Sequence, residues 1–194
     1  MQPEAQFYQF IRQFAPISEA EWAMSMAKFE HKTLEKGAFF VEQGQICRWI
    51  AFVASGVLRT WYRNEKGEDT TSCFCTENHF STAYKSFILQ APSDISIQAL
   101  VPTEILVISH RHLQELYASS ATWQQIGRVF AEREYIVMEQ YAAVLNNDSA
   151  KEKYLRLLTE QPQIIQLAPV QYIASYLGVT RRTLSRIRRE VTAG

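Results

Sequence analysis

Five arginines crowd one short stretch near the C-terminus of this 194-residue chain. They fall within residues 181–189, in the segment IASYLGVTRRTLSRIRR. A guanidinium group can donate two hydrogen bonds to guanine O6 and N7 in the major groove, or it can neutralise a phosphate. The chemistry that these side chains favour is therefore binding to a polyanion, and nucleic acid is the first candidate.

The residues around these arginines have the spacing of a helix-turn-helix. Ala174 is small where two helices must approach, Gly178 lies at the turn where a positive φ is usually needed, and Thr180 can cap the second helix. The apolar residues that would form the shared core are Ile173, Leu177, Val179, Leu184 and Ile187. A helical hairpin with solvated arginines remains the alternative, and it stays open for any single arginine.

The second helix of such a unit lies in the major groove, with its first-turn side chains toward the base edges. Base contacts are therefore expected from Arg181, Arg182, Ser185 and Arg186. Contacts to DNA phosphate are expected from Gln171, Tyr172, Thr180, Arg188 and Arg189.

The charge of the chain is unevenly distributed, although 20 Lys and Arg balance 20 Asp and Glu. Residues 151–194 contain eight basic residues against three Glu, so the rest of the chain is acidic. This asymmetry suggests a polyanionic partner that meets only the tail. The chain has no apolar run of about 18 residues and no signal peptide at its start, so a cytoplasmic protein without a membrane partner is expected.

Before residue 110, the sequence predicts two helices followed mainly by short strands. Apolar spacing predicts a helix over residues 4–15, and Ser18 and Glu21 form a capping box for a second one from Glu19. Strands are predicted at 38–41, 49–54, 57–63, 69–75, 94–100 and 104–108, separated by turns that mostly contain glycine. This spacing is typical of an antiparallel sandwich or barrel.

Helices fill the second half of the chain. Ser109 caps a short helix over residues 110–117, and a long helix is predicted over 121–146. The apolar stripe of the long helix consists of Trp123, Ile126, Phe130, Val137, Tyr141 and Val144, interrupted at Arg133 and Glu134. Such a helix either lies across its own domain or pairs with a second copy.

A break at residues 146–149 predicts a hinge before the last helices. Ser149 and Glu152 form a second capping box, which opens a helix through about Glu160. Pro162 is expected to end that element, and Pro169 to open the next helix. The expected domains are 1–118, a β-roll with N-terminal helices; 119–147, the long helix and hinge; and 148–194, the helix-turn-helix domain.

This order of elements resembles the Crp/Fnr transcription regulators over nearly the whole chain. The resemblance is carried by VEQGQICRWIAFVASGVLRTWYRNEKGEDTT with its turn glycines Gly44 and Gly56, by ALVPTEILVISHRHLQELY, and by IASYLGVTRRTLSRIRR. Within this family, the sequence RWIAFVASGVLRTWY and the short C-terminus are most similar to the short subgroup common in Bacteroidetes. The resemblance implies an α+β fold with an antiparallel β-roll or jelly roll like a cyclic nucleotide-binding domain. It also implies a dimerisation helix, a homodimer on palindromic double-stranded DNA, and base contacts from Arg181, Arg182 and Arg186. RNA polymerase and an unknown small-molecule effector are further candidate partners.

Two departures from the family pattern shape the expectations about ligands. Ser81 to Ala83 stand where the family's phosphate cassette has Gly-Glu-Leu, and Ser93 to Ile95 stand where it has Arg-Ser/Thr-Ala. Cyclic AMP in the usual mode is therefore not expected, no cofactor is required, and the effector is unknown. Any pocket would draw on Arg59, Trp61, Ser81, Thr82, Lys85, Ser93 and Asp94. The chain also ends five residues after Arg189, which predicts that a full β-hairpin wing is lacking.

The rival classes are an enzyme and a pure ligand-binding module. His110, His112 and Glu115 mimic part of a cupin metal set, but on a helix the two histidines lie about 200° apart and cannot converge. The three cysteines are interpreted as reduced, mostly buried thiols, at positions Cys47, Cys73 and Cys75. No catalysis and no metal site are expected. The alternative to a DNA-binding regulator is a small-ligand-binding β-roll whose tail binds DNA weakly or is vestigial.

Overall fold

The computed structural model describes residues 2–192, apart from the side chains of residues 142–146. Helices α1 (Pro3–Ile11) and α2 (Glu19–Met26) precede strands β1 (Phe29–Leu34), β2 (Phe39–Val41), β3 (Trp49–Ser55), β4 (Leu58–Arg63), β5 (Asp69–Cys75) and β6 (Phe80–Ser81). Helix α3 (Tyr84–Leu89) separates these from β7 (Ser96–Ala99) and β8 (Thr103–Ser109). The remaining elements are α4 (His110–Ser119), α5 (Ala121–Asn147), α6 (Ala150–Glu160), α7 (Pro162–Leu167), α8 (Val170–Tyr176) and α9 (Arg181–Thr192).

The strands form two four-stranded antiparallel sheets, in the orders β1-β8-β3-β6 and β2-β7-β4-β5. Aliphatic residues of both sheets, such as Ala51, Val53, Leu58 and Ile97, meet in one buried cluster. Glycines make the tight connections between strands. Gly56, for example, has φ +95 between β3 and β4, a conformation that other residues rarely adopt. The predicted α+β fold with an antiparallel jelly roll is therefore confirmed.

The N-terminal helices and the first half of α5 close one side of the roll. Phe7 of α1 is fully buried and contacts the rings of Trp22, Phe29 and Phe52. Trp123 of α5 joins the same cluster, and its indole N–H donates to Ser25 Oγ at 2.6 Å. Because α5 starts inside this core, the start of the long helix is fixed to the roll.

The second half of α5 is largely exposed, although the Tyr141 hydroxyl donates to the Ser72 carbonyl oxygen of β5 at 2.8 Å. Residues 131–140 are all exposed. The predicted stripe thus divides: Trp123 and Ile126 are buried in their own domain, whereas Val137 is 53% exposed. The side chain of Val144 lies outside the described part of the chain, as does that of Asn146 in the predicted hinge. The backbone of α5 continues as helix to Asn147.

Most predicted elements are confirmed, and the differences have physical causes. The first helix ends at Ile11 rather than residue 15. Two strands, β1 and β6, were missed because polar residues dilute the first and the second is only two residues long. Helices α3 and α7 were also missed. Helix α6 ends at Glu160, as predicted, and Pro162 then begins α7, where its missing N–H costs nothing.

The predicted caps are present, but the box at Ser18 is only half formed, because the Glu21 carboxylate accepts from the Ser120 hydroxyl. Ser18 Oγ accepts from the Glu21 N–H, and Ser109 Oγ accepts from the His112 N–H. Ser149 and Glu152 form both hydrogen bonds of a capping box at the start of α6. Within residues 2–192, no helix is long and apolar enough to cross a membrane.

Candidate nucleic-acid interface

The exposed arginine face belongs to α9, the last described helix. Leu184 and Ile187 are buried, and Arg182, Ser185, Arg186 and Arg189 are exposed on the opposite side. Arg181 is also exposed, at one edge of this face. We call the exposed set of Arg181, Arg182, Ser185, Arg186 and Arg189 the basic face. Its side chains lie together because the apolar spacing of α9 forces them away from the core.

A short turn joins α8 to α9 as the sequence predicts. Gly178 has φ +68, and the Val179 N–H donates to the Ala174 carbonyl at 2.9 Å. Thr180 Oγ1 accepts from the Thr183 N–H at 3.2 Å and thereby caps α9. Ile173 and Leu177 of α8 pack in one buried cluster with the apolar residues of α9. The predicted helix-turn-helix is therefore present, and Thr180 itself is exposed at the start of α9.

One arginine of the basic face has a weak intrahelical partner. Arg186 Nε lies 3.8 Å from Glu190 Oε1, and the Arg186 side chain remains 70% exposed. Exposed pairs of this kind contribute about 0–1 kcal/mol, so DNA phosphate or a base could replace Glu190 at little cost.

Arg188 does not lie with the basic face. Its guanidinium carbon is 5.9 Å from the Tyr154 ring centroid of α6, and its Nε and Nη2 atoms are buried without an acceptor among the described residues. The expectation of a phosphate contact from Arg188 is therefore corrected to a packing position between α9 and α6. Arg188 lies on the flank of α9 that faces α6, and its side chain therefore packs between the two helices.

Gln171 and Tyr172, the expected phosphate contacts on α8, have different surroundings. Gln171 is exposed at the helix start. The Tyr172 ring instead lies 3.7 Å from the guanidinium carbon of Arg59, on β4 of the roll. In this structure the Tyr172 ring is therefore engaged by the roll, contrary to the expectation of a residue turned toward DNA.

Helix α8 docks on β5 through polar and aromatic contacts. Ser175 Oγ accepts from the Thr71 N–H at 2.9 Å, and its hydroxyl donates to the Asp69 carbonyl oxygen at 3.1 Å. The centroids of the Tyr176 and Phe74 rings are 5.5 Å apart. Three roll residues, Val57, Phe74 and Leu100, belong to the same buried cluster as the C-terminal helices. We call this contact surface the seam.

The seam was not predicted from the sequence. Its signal was present in α8, where Tyr172, Ser175 and Tyr176 recur at helical spacing on a side that differs from the core side of Ile173 and Leu177. A second apolar side on a short helix indicates a second packing partner.

Arg59 and Trp61 were expected to line a pocket, and this is wrong. They belong to the sheet face that meets the C-terminal helices, with 1% and 9% exposure. Arg59 Nε donates to Thr71 Oγ1 at 2.8 Å, while Arg59 Nη2 and Trp61 Nε1 have no acceptor within the described residues. Burial lowers the pKa of Arg59, and attraction to Tyr172 and Asp69 opposes that shift.

The other predicted pocket residues serve the local structure. Lys85 Nζ and Asp94 Oδ2 form an exposed ion pair at 2.6 Å. Thr82 Oγ1 donates to the Trp49 carbonyl, and the Ser93 hydroxyl donates to the Ile95 carbonyl. Ser81 is buried in β6. A surface cavity of about 460 Å³ lies elsewhere, lined by Phe40, Val41, Gln45, Ile46, Arg48 and Trp49.

The histidines and cysteines lie in different surroundings from one another. The His110 ring contacts Phe87, whereas His112 Nδ1 lies 3.2 Å from the Lys28 carbonyl oxygen. Cys47 and Cys75 are buried, Cys73 is exposed, and burial raises the pKa of Cys75. Across the described part of the chain, no group of three or more His, Cys, Asp or Glu side chains could hold a metal ion.

Comparison with known proteins adds the family context. Residues 31–120 match the family model of the cyclic nucleotide-binding domain. FixK2 from Bradyrhizobium japonicum is similar in structure, with a TM-score of 0.70, 15% identity, and coverage of 85% of each chain. The catabolite activator protein of Thermus thermophilus has a TM-score of 0.58 and 16% identity, over 93% of this chain and 86% of the other.

A third similar structure is the c-di-GMP-responsive global regulator CLP of Xanthomonas campestris. Its TM-score is 0.65 at 16% identity, over 88% of this chain and 92% of that one. A comparison with curated protein sequences finds no match. Residues 31–120 are therefore similar to cyclic nucleotide-binding domains, and the fold of the chain is that of these three proteins, in agreement with the fold that the sequence resemblance predicts.

Proposed function

We propose that this protein is a sequence-specific DNA-binding transcription regulator of the Crp/Fnr type, and not an enzyme. The observation that carries this proposal is the basic face, presented by a capped helix on a packed helix-turn-helix core. A major groove about 12 Å wide accepts one such helix. Arg181, Arg182, Ser185 and Arg186 would contact base edges, while Gln171, Thr180 and Arg189 would contact phosphate.

The regulator acts as a homodimer in this proposal. The exposed part of α5 carries four large apolar residues in succession, Tyr135, Ile136, Val137 and Met138, each more than half exposed. An isolated helix segment that is apolar on several sides is unfavourable in water, and a second copy of the same helix would cover it. A two-fold axis along α5 would place two basic faces about 34 Å apart on a palindromic site.

The proposal requires no cyclic nucleotide. The Lys85–Asp94 ion pair occupies the region of the phosphate cassette, and Asp94 would repel a cyclic phosphate. RNA polymerase is a candidate partner of the DNA-bound dimer. An effector, where one acts, would shift the orientation of the C-terminal helices relative to the roll.

The test is selection of binding sites from random double-stranded DNA with the purified protein at moderate salt and without added ligand. The expected result is a palindrome whose half-sites are one helical turn apart, centre to centre. A matched selection with Arg182→Ala and Arg186→Ala combined should lose the motif while the protein stays folded. Recovery of no motif by the wild-type protein, even with small-molecule effectors added, would contradict the proposal and favour a ligand-binding β-roll with a vestigial tail.

A further inference from the structure

Arg59 is a cation buried where the roll meets the C-terminal helices. Its side chain is 1% exposed, Nε donates to Thr71 Oγ1 at 2.8 Å, and Nη2 has no acceptor among the described residues. The nearby carboxylate of Asp69 pairs with Arg63 at 3.2 Å. A buried charge is costly unless it is paired and fully hydrogen-bonded, so Arg59 indicates a contact built for something other than maximum stability.

The main compensation for the Arg59 charge is the Tyr172 ring. The guanidinium carbon lies 3.7 Å from the centroid of Tyr172 and 5.2 Å from that of Trp61. The stabilisation of a desolvated cation over an aromatic ring is comparable to the cost of the unsatisfied donor Nη2. The stack therefore holds α8 on the roll with a small net free energy, as a reversible contact requires.

Tyr172 is also the ring at the start of the first helix of the helix-turn-helix, where such units cross the DNA backbone. Its hydroxyl could donate to a phosphate oxygen. The stack turns the ring toward the roll, so a phosphate contact from Tyr172 would require the stack to open. Gln171, its neighbour, is exposed and free of this conflict.

We propose that Arg59 is a positioning residue that holds the DNA-binding unit on the roll through Tyr172, and that this contact must open for tight DNA binding. This inference rests on the proposed function and adds its regulation. It places the control of DNA binding in the seam between β4, β5 and α8, rather than in the segment at residues 146–149 alone.

The test compares wild type with Arg59→Met, which keeps an extended side chain but removes the charge. Lys32→Met is the matched control, because Lys32 Nζ lies 3.8 Å from the Trp49 ring centroid and so forms a cation–π pair away from the seam. Hydrogen exchange of peptides covering residues 69–75 and 170–176 reports opening of the seam. In Arg59→Met both segments should exchange about tenfold faster, and in Lys32→Met they should not change.

DNA binding gives the second readout, on the selected palindrome at several salt concentrations. Arg59→Met should bind about three- to tenfold more tightly with an unchanged salt slope, since Tyr172 adds no charge. Adding Tyr172→Phe should remove this gain, because the phenylalanine ring lacks the hydroxyl. Should Arg59→Met fail to fold, Ser175→Ala replaces it, because that change removes two hydrogen bonds across the same seam.

Two results would overturn the inference: unchanged exchange in Arg59→Met, or an open seam with weaker DNA binding, which would make the docked orientation the DNA-competent one. A wild-type protein and variants that bind no DNA at all would instead remove the proposed function. In that case the exchange experiment alone decides whether Arg59 holds the C-terminal helices on the roll.

Discussion

Arg182 and Arg189 occupy one exposed side of α9, but at different depths along the helix. Arg182 lies in the first turn, and Arg189 lies two turns further on. The recognition helix of a helix-turn-helix meets base edges with its N-terminal residues, so in the proposed complex Arg182 would read sequence and Arg189 would neutralise phosphate. The two side chains are chemically identical, and the proposal assigns them different roles from their position alone.

Replacement of these two residues should therefore give different defects. Arg182→Ala should relax base preference at one position per half-site, at a cost of about 1–3 kcal/mol on the preferred site. Arg189→Ala should weaken binding to all sequences alike and lower the salt slope by about one. Binding to a panel of single-base variants at several salt concentrations distinguishes the two. Identical profiles would show that the assignment of base and phosphate contacts is wrong.

Arg188 is the neighbour of Arg189 and provides a contrasting prediction. Because its guanidinium packs toward Tyr154, Arg188→Met should leave the salt slope of DNA binding unchanged. Arg189→Met should lower that slope by about one. Filter-binding or anisotropy titrations of both variants measure this. A slope lowered equally by both would mean that Arg188 turns toward phosphate on the DNA.

At the scale of elements, the start of α6 depends on a charged capping box. The Ser149 N–H donates to Glu152 Oε2 at 2.7 Å, and the Glu152 N–H donates to Ser149 Oγ. Hydrogen bonds from Ser149 hold the pKa of Glu152 below its ordinary value of 4.5. A depressed carboxyl pKa means that the folded state favours the ionised form.

The pH dependence follows from this direction. The ionised Glu152 carboxylate adds to the free energy of unfolding. This addition is fully present above the pKa that Glu152 has in the unfolded chain, and it is lost as the pH falls through the lower pKa of the folded state. Glu152→Gln should therefore lower Tm at pH 6–7, and the difference from wild type should vanish toward about pH 3. Thermal unfolding followed by circular dichroism across this range is the measurement. A difference that persists unchanged at acid pH would exclude the charge as its source.

The turn between β3 and β4 provides a test of close packing. Gly56 has φ +95, and a Cβ there would lie 2.5 Å from Thr103 Oγ1 and 2.7 Å from the Pro102 carbonyl oxygen. Gly44 has φ +90 with nothing within 4 Å of such an atom. Gly44→Ala should lower the free energy of unfolding by about 1 kcal/mol through backbone strain alone. Gly56→Ala should lower it by about 3 kcal/mol or more, because steric overlap adds to the strain. Urea denaturation measures both, and equal losses would refute the steric account.

At the scale of the whole molecule, α5 joins two environments. Its first half is bound into the roll by Trp123 and Ile126, the stretch over 131–140 is exposed, and Tyr141 again contacts β5 through the Ser72 carbonyl oxygen. An exposed apolar segment between two anchored parts of one helix is suited to pairing with a copy of itself, because anchoring removes much of the entropy that association would otherwise cost.

Dimerisation is therefore expected to depend on the exposed apolar segment. Met138→Glu should raise the dimer dissociation constant by about tenfold or more, since it places a charge in an apolar contact. Arg128→Gln is the matched control, because it changes net charge in the same direction on the same helix, outside the apolar segment. Sedimentation equilibrium measures both. A dimer unaffected by Met138→Glu would show that another surface pairs the chains.

The sequence by itself determined the elements whose causes are local. Gly178 at the turn, the Thr180 cap and the apolar spacing of α9 define the helix-turn-helix through neighbours only a few residues away, and glycine-containing turns with alternating residues define the strands. Strands β1 and β6 escaped prediction because polar residues dilute the first and the second has only two residues, and both are stabilised by pairing with β8 and β3 far along the chain.

Only the tertiary structure decided which partners these elements meet. Strand alternation shows that Arg59 and Trp61 share one face of β4, but it does not show whether that face meets the inside of the roll or another domain. The docking of α8 on β5 turned both residues toward the C-terminal helices and placed Tyr172 against Arg59. Long-range packing made that choice, because the face of a strand is buried by whichever surface covers it.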